Sequence, residues 1–252
     1  MKQKIIVVKI GTKSIIEDGI VKNKRINVMA EEIIKIKKDK NISAVLVVSG
    51  AVELGRAILG LKEKPKEKIA LQRCAGVGQI ELMKIWSDGF KKQKAILSQY
   101  LLTYQNLESE KEQENIIRNL HDDIACGIIP IVNFNDKVDS QEVALDNDRL
   151  SAKIAIYSGA SSLLILTNDV DGLMEADDLV GEVDTEDIEK YKKLCTGAGK
   201  SGTGGMRTKL EAADIFAQNG GECIIGNINN KIGSLLSGSS SGTRIKNRQN
   251  GG

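Results

Sequence analysis

Short, almost wholly apolar runs alternate with amphipathic stretches along nearly the whole chain. Ile5 to Ile10 (IIVVKI), Ala44 to Val48 (AVLVV), Gly127 to Val132 (GIIPIV) and Leu163 to Leu166 (LLIL) each predict a strand buried on both faces. Between them, apolar residues recur at helical spacing. Asn27 to Lys38 does so through Val28, Ile33, Ile34 and Ile36, and Val52 to Leu59 predicts a second helix. After a break at Pro65, Glu67 to Lys91 predicts a third helix with Leu71, Cys74, Leu82, Ile85 and Trp86 inward, and Ser109 to Cys126 a fourth. Ala95 to Leu97 and Glu222 to Ile225 predict further short strands, and Gly242 to Ile245 a short edge strand. Helices alternating with parallel-type buried strands predict an α/β fold, a three-layer αβα sandwich around a mainly parallel open sheet.

Polar groups gather where the predicted strands end. Lys9-Ile10-Gly11-Thr12 closes the first strand and Ser49-Gly50-Ala51 the second, while Asn133-Phe134-Asn135-Asp136 and Thr167-Asn168 follow later ones. Asp146-Asn147-Asp148 opens a helix, with Asn147 or Asp148 as its N-cap. Open α/β sheets bind ligands outside the carboxyl ends of their strands. Any one of these residues reads equally well as a cap, a turn or a solvated edge. Lys9, Ser49, Asp136 and Thr167 together make coincidence a poor account.

A further polar stretch, GAGKSGTGGMRTKLEAADIFA from Gly197 to Ala217, places five glycines between Gly197 and Gly205. A helix is predicted from about Met206, with Met206, Leu210, Ala213 and Ala217 on one face and Asn219-Gly220-Gly221 as its stop. Backbone N–H groups at such a helix start converge on an anion, and Thr203, Thr208 and Lys209 add two hydroxyls and an ammonium there. Phosphate binding is the natural reading, with a surface linker as the plain alternative. Gly199-Lys200-Ser201 is not a Walker A end, because Leu194 stands where its first glycine belongs. Gly197, Gly199 and Gly202 match G-x-G-x-x-G, but they follow a predicted helix, Ile188 to Leu194, where a dinucleotide fingerprint follows a strand.

Composition narrows the partners. Lysine and arginine total 36 against 34 acids, a net charge of +2, and the lysine clusters at 35–40 and 62–68 read as solvated faces, so no nucleic-acid partner is expected. Cys74, Cys126, Cys195 and Cys223 form no C-x-x-C pair and His121 is the only histidine, so neither a zinc site nor a Cys/His catalytic pair is expected. The thiols read as reduced and mostly buried. With no leader pattern and no apolar run of spanning length, the expectation is a soluble cytoplasmic protein with no membrane partner.

Val7 to Thr12 (VVKIGT), then Val48-Ser49-Gly50-Ala51 with Gly55-Arg56, resemble the amino acid kinase family. Gln99 to Thr103 (QYLLT), Ile129 to Asn133 (IPIVN) with Asn135-Asp136, Asp146-Asn147-Asp148 and Gly202 to Lys209 (GTGGMRTK) resemble those members that act on the side-chain carboxylate of L-glutamate. The likeness runs from about Lys4 to Ile245 and implies one kinase domain over 1–252, its first 160 residues or so binding substrate and about 161–247 binding ATP. The C-terminal PUA domain of many members is not expected. The implied reaction is phosphorylation by ATP with Mg²⁺ to L-glutamyl 5-phosphate, the first step of proline synthesis. Lys9 and Lys209 would contact the moving phosphoryl group and Asp148 would orient them. Ser49, Gly50, Asp136 and Asn147 would hold glutamate. Gly11, Thr167, Asn168, Thr203, Gly204, Gly205 and Met206, with Lys9 and Lys209, would hold ATP. No protein metal ligand is expected, Mg²⁺ being carried on the ATP phosphates. The resemblance also implies a homo-oligomer, dimer or tetramer, and feedback inhibition by proline.

The chemistry suits these residues. A γ-carboxylate with a pKa of about 4.3 is ionised at neutral pH, so no general base is needed. What remains is to bring two anions together and to neutralise charge on the transferring group. Asp136 offers a carboxylate to a free α-ammonium, which an N-acylated substrate lacks. Asp136 and Asp148 read without the family are equally well helix caps. One position departs from the family pattern: Phe134 stands where a glutamate is usual. A kinase for acetylglutamate, aspartate, carbamate or uridylate and a non-catalytic amino-acid or nucleotide sensor are the competing readings.

Overall fold

The structure, a computed structural model, describes residues 4–138, 146–195 and 205–247. Its main sheet contains β1 (Lys4–Ile10), β2 (Ile42–Val48), β3 (Leu97–Leu102) and β4 (Ile129–Phe134). The remaining strands are β5 (Ser162–Thr167), β6 (Glu182–Asp184), β7 (Glu222–Asn227) and β8 (Thr243–Lys246). The eight lie in the order β6-β8-β7-β5-β1-β2-β4-β3. Every neighbouring pair is parallel except β7 and β8. The long helices are α1 (Asn23–Lys40), α2 (Ala51–Ile58), α3 (Lys68–Lys91), α4 (Glu110–Ala125), α5 (Asn147–Tyr157) and α6 (Met206–Gln218). The predicted α/β sandwich is therefore observed.

Strand periodicity explains both cores. Along β1, Ile5 and Val7 join Leu120 of α4, Leu150 and Ile154 of α5 and Leu210 and Phe216 of α6 in one cluster. Ile6, Val8 and Ile10 join Ile26, Met29 and Ile33 of α1, Leu54 of α2 and Leu82 and Trp86 of α3 in the other. Because side chains alternate across a strand, Lys9 shares the face of Val7, towards α5 and α6.

On the opposite face, two glycines let α2 and α3 cross backbone against backbone. A Cβ on Gly78 would stand 1.8 Å from the Ala51 carbonyl oxygen, and one on Gly55 would stand 1.8 Å from that of Cys74. This crossing sets the start of α2, immediately after Ser49-Gly50, beside the middle of α3.

Three of the differences from the sequence reading have a clear physical reason. The strand expected at Ala95–Leu97 is β3, Leu97–Leu102, because its half-buried polar alternation continues through QYLL while Ala95 and Ile96 precede the first pairing with β4. The expected edge strand is interior: β8 lies between β7 and β6, and the true edge β6 is a three-residue strand with one buried apolar residue, Val183, too short to stand out as a run. β8 also anchors the turn after β5, since the Thr243 hydroxyl accepts from the Leu173 N–H at 2.7 Å and donates to the Val180 carbonyl at 2.7 Å. The cap of α5 is Asp146, whose carboxylate accepts from the Arg149 N–H at 2.9 Å, which leaves Asn147 and Asp148 free to face the sheet. The cysteines are unpaired thiols; Cys74 and Cys223 are buried, but Cys126 is exposed at the end of α4 and Cys195 is half-buried.

Gly78→Ala should lower stability by about 3 kcal/mol, since the added methyl meets backbone rather than a movable side chain. Gly181→Ala, where a Cβ meets nothing within 4 Å, is the control. Equal urea midpoints for the two variants would show that the close crossing is not what requires glycine.

Candidate active site

Lys9, the penultimate residue of β1, points its Nζ to within 2.5 Å of Asp148 Oδ1. From the first full turn of α6, Lys209 Nζ donates to Asp148 Oδ2 at 3.2 Å, and the Thr208 hydroxyl donates to the same oxygen at 2.8 Å. Asp148 is only 1% exposed, and the two lysine side chains are 7% and 13% exposed. One carboxylate thus binds two ammonium groups, so the cluster carries a net positive charge away from water. Among the described residues neither lysine has a second carboxylate within 4 Å, although the charge of Asp146 reaches both. Desolvated cations short of a counter-charge form a strong anion site.

Burial alone would raise the Asp148 pKa. The charges of Lys9 and Lys209, with hydrogen bonds from Lys9 and Thr208, outweigh that and hold it below the ordinary carboxylate value. For Lys209, burial first and the nearby Lys9 charge second push the ammonium pKa down, against the pull of Asp148. An arriving anion relieves both effects.

Beside this cluster runs a chain of amides. Asn147 Nδ2 donates to Ser49 Oγ at 2.7 Å, to Asn133 Oδ1 at 3.2 Å and to the Val48 carbonyl at 3.3 Å. Asn133 Nδ2 in turn donates to Gln79 Oε1 at 2.8 Å. Gly50 has φ of +128°, and a Cβ there would meet Ile16 Cδ1 at 2.7 Å, so the turn that presents Ser49 admits only glycine comfortably. A cavity of about 570 Å³ opens alongside, walled by Gln79, Gln99, Phe134, Asn135 and Asp136. Phe134 is buried and belongs to the α4–α6 side core as well as to this wall.

At the end of β5, Thr167 turns its hydroxyl to the Gly226 carbonyl at 3.1 Å and to the Val170 carbonyl, so it braces the turn. Asn168 Oδ1 accepts from Arg25 Nη1 at 2.8 Å, and the same guanidinium reaches Asn229 Oδ1 at 3.1 Å and the Ser14 carbonyl at 2.8 Å. Gly11 follows β1, where a Cβ would stand 3.7 Å from Lys9 Nζ. Gly205 caps α6 and Met206 begins it, while Thr203 and Gly204 lie outside the described residues.

The structure therefore joins Lys9, Asp148 and Lys209 in one cluster and Ser49 with Asn147 in an adjoining one. Arg25 and Gln79 were not foreseen as site features, and Thr208, expected as a hydroxyl at the helix start, bonds Asp148. Arg25 and Asn168 are 143 residues apart with no motif around the arginine, so only the fold reveals the pair. Gln79 sits in a helical stretch where it reads as a surface amide.

Residues 4–227 match the profile of a family described as the Amino acid kinase family. A glutamate 5-kinase of Pelagibacter ubique is 36% identical over 89% of this chain and 63% of its own length, and one of Vibrio campbellii is 39% identical over 95% and 66%. The chain thus spans just under two thirds of these relatives. A glutamate 5-kinase of Lactococcus lactis is 36% identical over 89% of this chain and 87% of its own. Among solved structures, the carbamate kinase from Giardia lamblia bound to AMP-PNP superposes with a TM-score of 0.71 at 17% identity, covering 98% of this chain and 99% of that one. The UMP kinase from Ureaplasma parvum gives 0.65 at 15%, covering 97% and 99%. At such identities the likeness is one of fold.

Asp148→Asn leaves two buried ammonium groups without their counter-ion and should cost about 3–5 kcal/mol at pH 7. The folded Asp148 pKa lies below the unfolded one. Its stabilisation is therefore complete above an unfolded pKa of about 4 and disappears as pH falls through the folded value. Urea unfolding of both proteins from pH 7 to pH 3 should show the gap narrowing on the acid side. A constant gap would mean that the charge is not the stabilising feature.

Proposed function

The chain belongs to the amino acid kinase family, and on that premise we propose that it transfers the γ-phosphoryl group of ATP to the γ-carboxylate of L-glutamate, giving L-glutamyl 5-phosphate. This is the reaction that opens proline synthesis. The observation that carries the proposal is the buried Lys9–Asp148–Lys209 cluster at the carboxyl edge of the sheet. Two cations held by one carboxylate match a reaction whose difficulty is the meeting of two anions. Lys9 and Lys209 stabilise the transferring group from two sides, and Asp148 keeps both ammonium groups aimed. Proton abstraction is not required, because the attacking carboxylate is already ionised.

Substrate falls to the half before about residue 160, with Ser49, Gly50 and Asn147 beside the reacting carboxylate and Asp136 taking the α-ammonium. ATP falls to about 161–247, with Gly11, Thr167, Asn168 and Thr203 to Met206 around the phosphates and ribose side. Likeness in fold to a kinase bound to AMP-PNP supports the nucleotide. Mg²⁺ would be held by the nucleotide phosphates and would offset their charge. Both Asp148 oxygens are engaged by cations or hydroxyl, and among the described residues no cluster of three His, Cys, Asp or Glu suits a metal. No helix among the described residues is long and apolar enough to cross a membrane. Exposed apolar residues on α2 and α3, Ile58, Ile69 and Ile80, support a homo-oligomer as part of the proposal, and proline inhibition rests on the family resemblance.

The test is trapping with hydroxylamine, which converts an acyl phosphate to a hydroxamate. With ATP and Mg²⁺, product is expected from L-glutamate and not from N-acetylglutamate or aspartate. Product from another carboxylate would overturn the substrate, and none from any would favour a sensor. Lys209→Ala should lower turnover about 10²–10³-fold with the fold retained. Near-normal turnover would remove Lys209 from the reaction.

A further inference from the structure

The amide chain beside the cluster has a direction. The Val48 carbonyl can only accept, so Asn147 must turn its Nδ2 towards it and towards Ser49. That same Nδ2 meets Asn133 Oδ1, which obliges Asn133 to present its Nδ2 to Gln79 Oε1. Each amide orientation is thus dictated by the one before it. The loose ends are an acceptor, Asn147 Oδ1, and a donor, Gln79 Nε2, both shielded from solvent and without a hydrogen-bond partner among the described residues. A shielded donor with no acceptor is costly, and native structures rarely keep one without a use. Gln79 lines the same cavity as Asp136.

We propose that Gln79 is a specificity-determining residue that reads the α-carboxylate of the amino-acid substrate, its Nε2 donating to a carboxylate oxygen while Asp136 takes the neighbouring ammonium. This rests on the assignment of the cavity to glutamate. A zwitterionic α-end carries one acceptor group and one donor group, and the cavity wall offers one donor and one carboxylate. Inverting the donor would turn Asn147 Oδ1 towards the Val48 carbonyl, acceptor against acceptor, so the chain opposes a substrate that offers only a donor in place of the carboxylate. A site whose buried polar group is left unpaired by the wrong ligand discriminates strongly against it.

Gln79→Glu keeps an oxygen to accept from Asn133 and replaces the donor by an anionic acceptor. Hydroxamate formation is measured for L-glutamate and for its α-amide, which retains the γ-carboxylate but ends in a neutral carboxamide, a weaker acceptor without the negative charge. The kcat/KM ratio of glutamate to α-amide should fall at least about tenfold from the native protein to Gln79→Glu, with the KM for ATP and the unfolding midpoint unchanged. Gln79→Met, which deletes the donor without adding charge, should move the ratio in the same direction and serves if the glutamate variant does not fold. Equal losses for both substrates, or an unchanged ratio, would overturn the role of Gln79. Absence of hydroxamate from glutamate in the native protein would instead defeat the kinase assignment, and this inference with it.

Discussion

One carboxylate shared by two ammonium groups, away from water, is the constraint around which the rest is arranged. It asks for a strand residue on the correct face, a helix start beyond the strand end and a second helix start opposite. Lys9 meets the first demand through the two-residue period of β1, Asp148 the second from α5, and Lys209 the third from α6. The apolar neighbours of these residues hold the three elements in register, with Val7, Leu150 and Leu210 in one cluster. Packing and chemistry therefore share the same face of the sheet. The desolvation that strengthens the attraction of the cluster for an anion is supplied by that core.

Much of this was legible in the chain itself. Uninterrupted apolar runs located most of the parallel strands, and the polar residues at their ends lay where ligands meet open sheets. The places that resisted reading are those where a local signal is weak or tertiary. β6 has one buried residue and gains its identity only from β8. Three acceptors compete for the cap of α5, and propensity ranks aspartate and asparagine alike; geometry chose Asp146 and freed its two successors. Gln79 shows no periodic or motif signal, since its bond to Asn133 joins residues 54 apart in the chain.

The two ends of the site are built by different means. At the Lys9–Asp148–Lys209 cluster, full charges a few ångströms apart dominate, and substitution there acts through electrostatics. At the cavity beside it, neutral amides pass an orientation from a backbone carbonyl to the wall. Neutral hydrogen bonds contribute modest energy individually, but leaving one unmade is expensive, which makes them better suited to discrimination than to attraction.

The interior position of β8 has a consequence for how the protein is made. β6 is synthesised about sixty residues before its sheet neighbour, and the turn that follows β5 depends on the Thr243 hydroxyl for two of its backbone hydrogen bonds. As the chain emerges from the ribosome, the strands from β1 to β5 can assemble in order. The half that carries β5 to β8 waits for Thr243–Lys246 to pair with β7 and so to give the 182–184 segment its neighbour. Completion of that half is a late step, and a nascent chain halted before it would hold its first half formed and its second half unclosed.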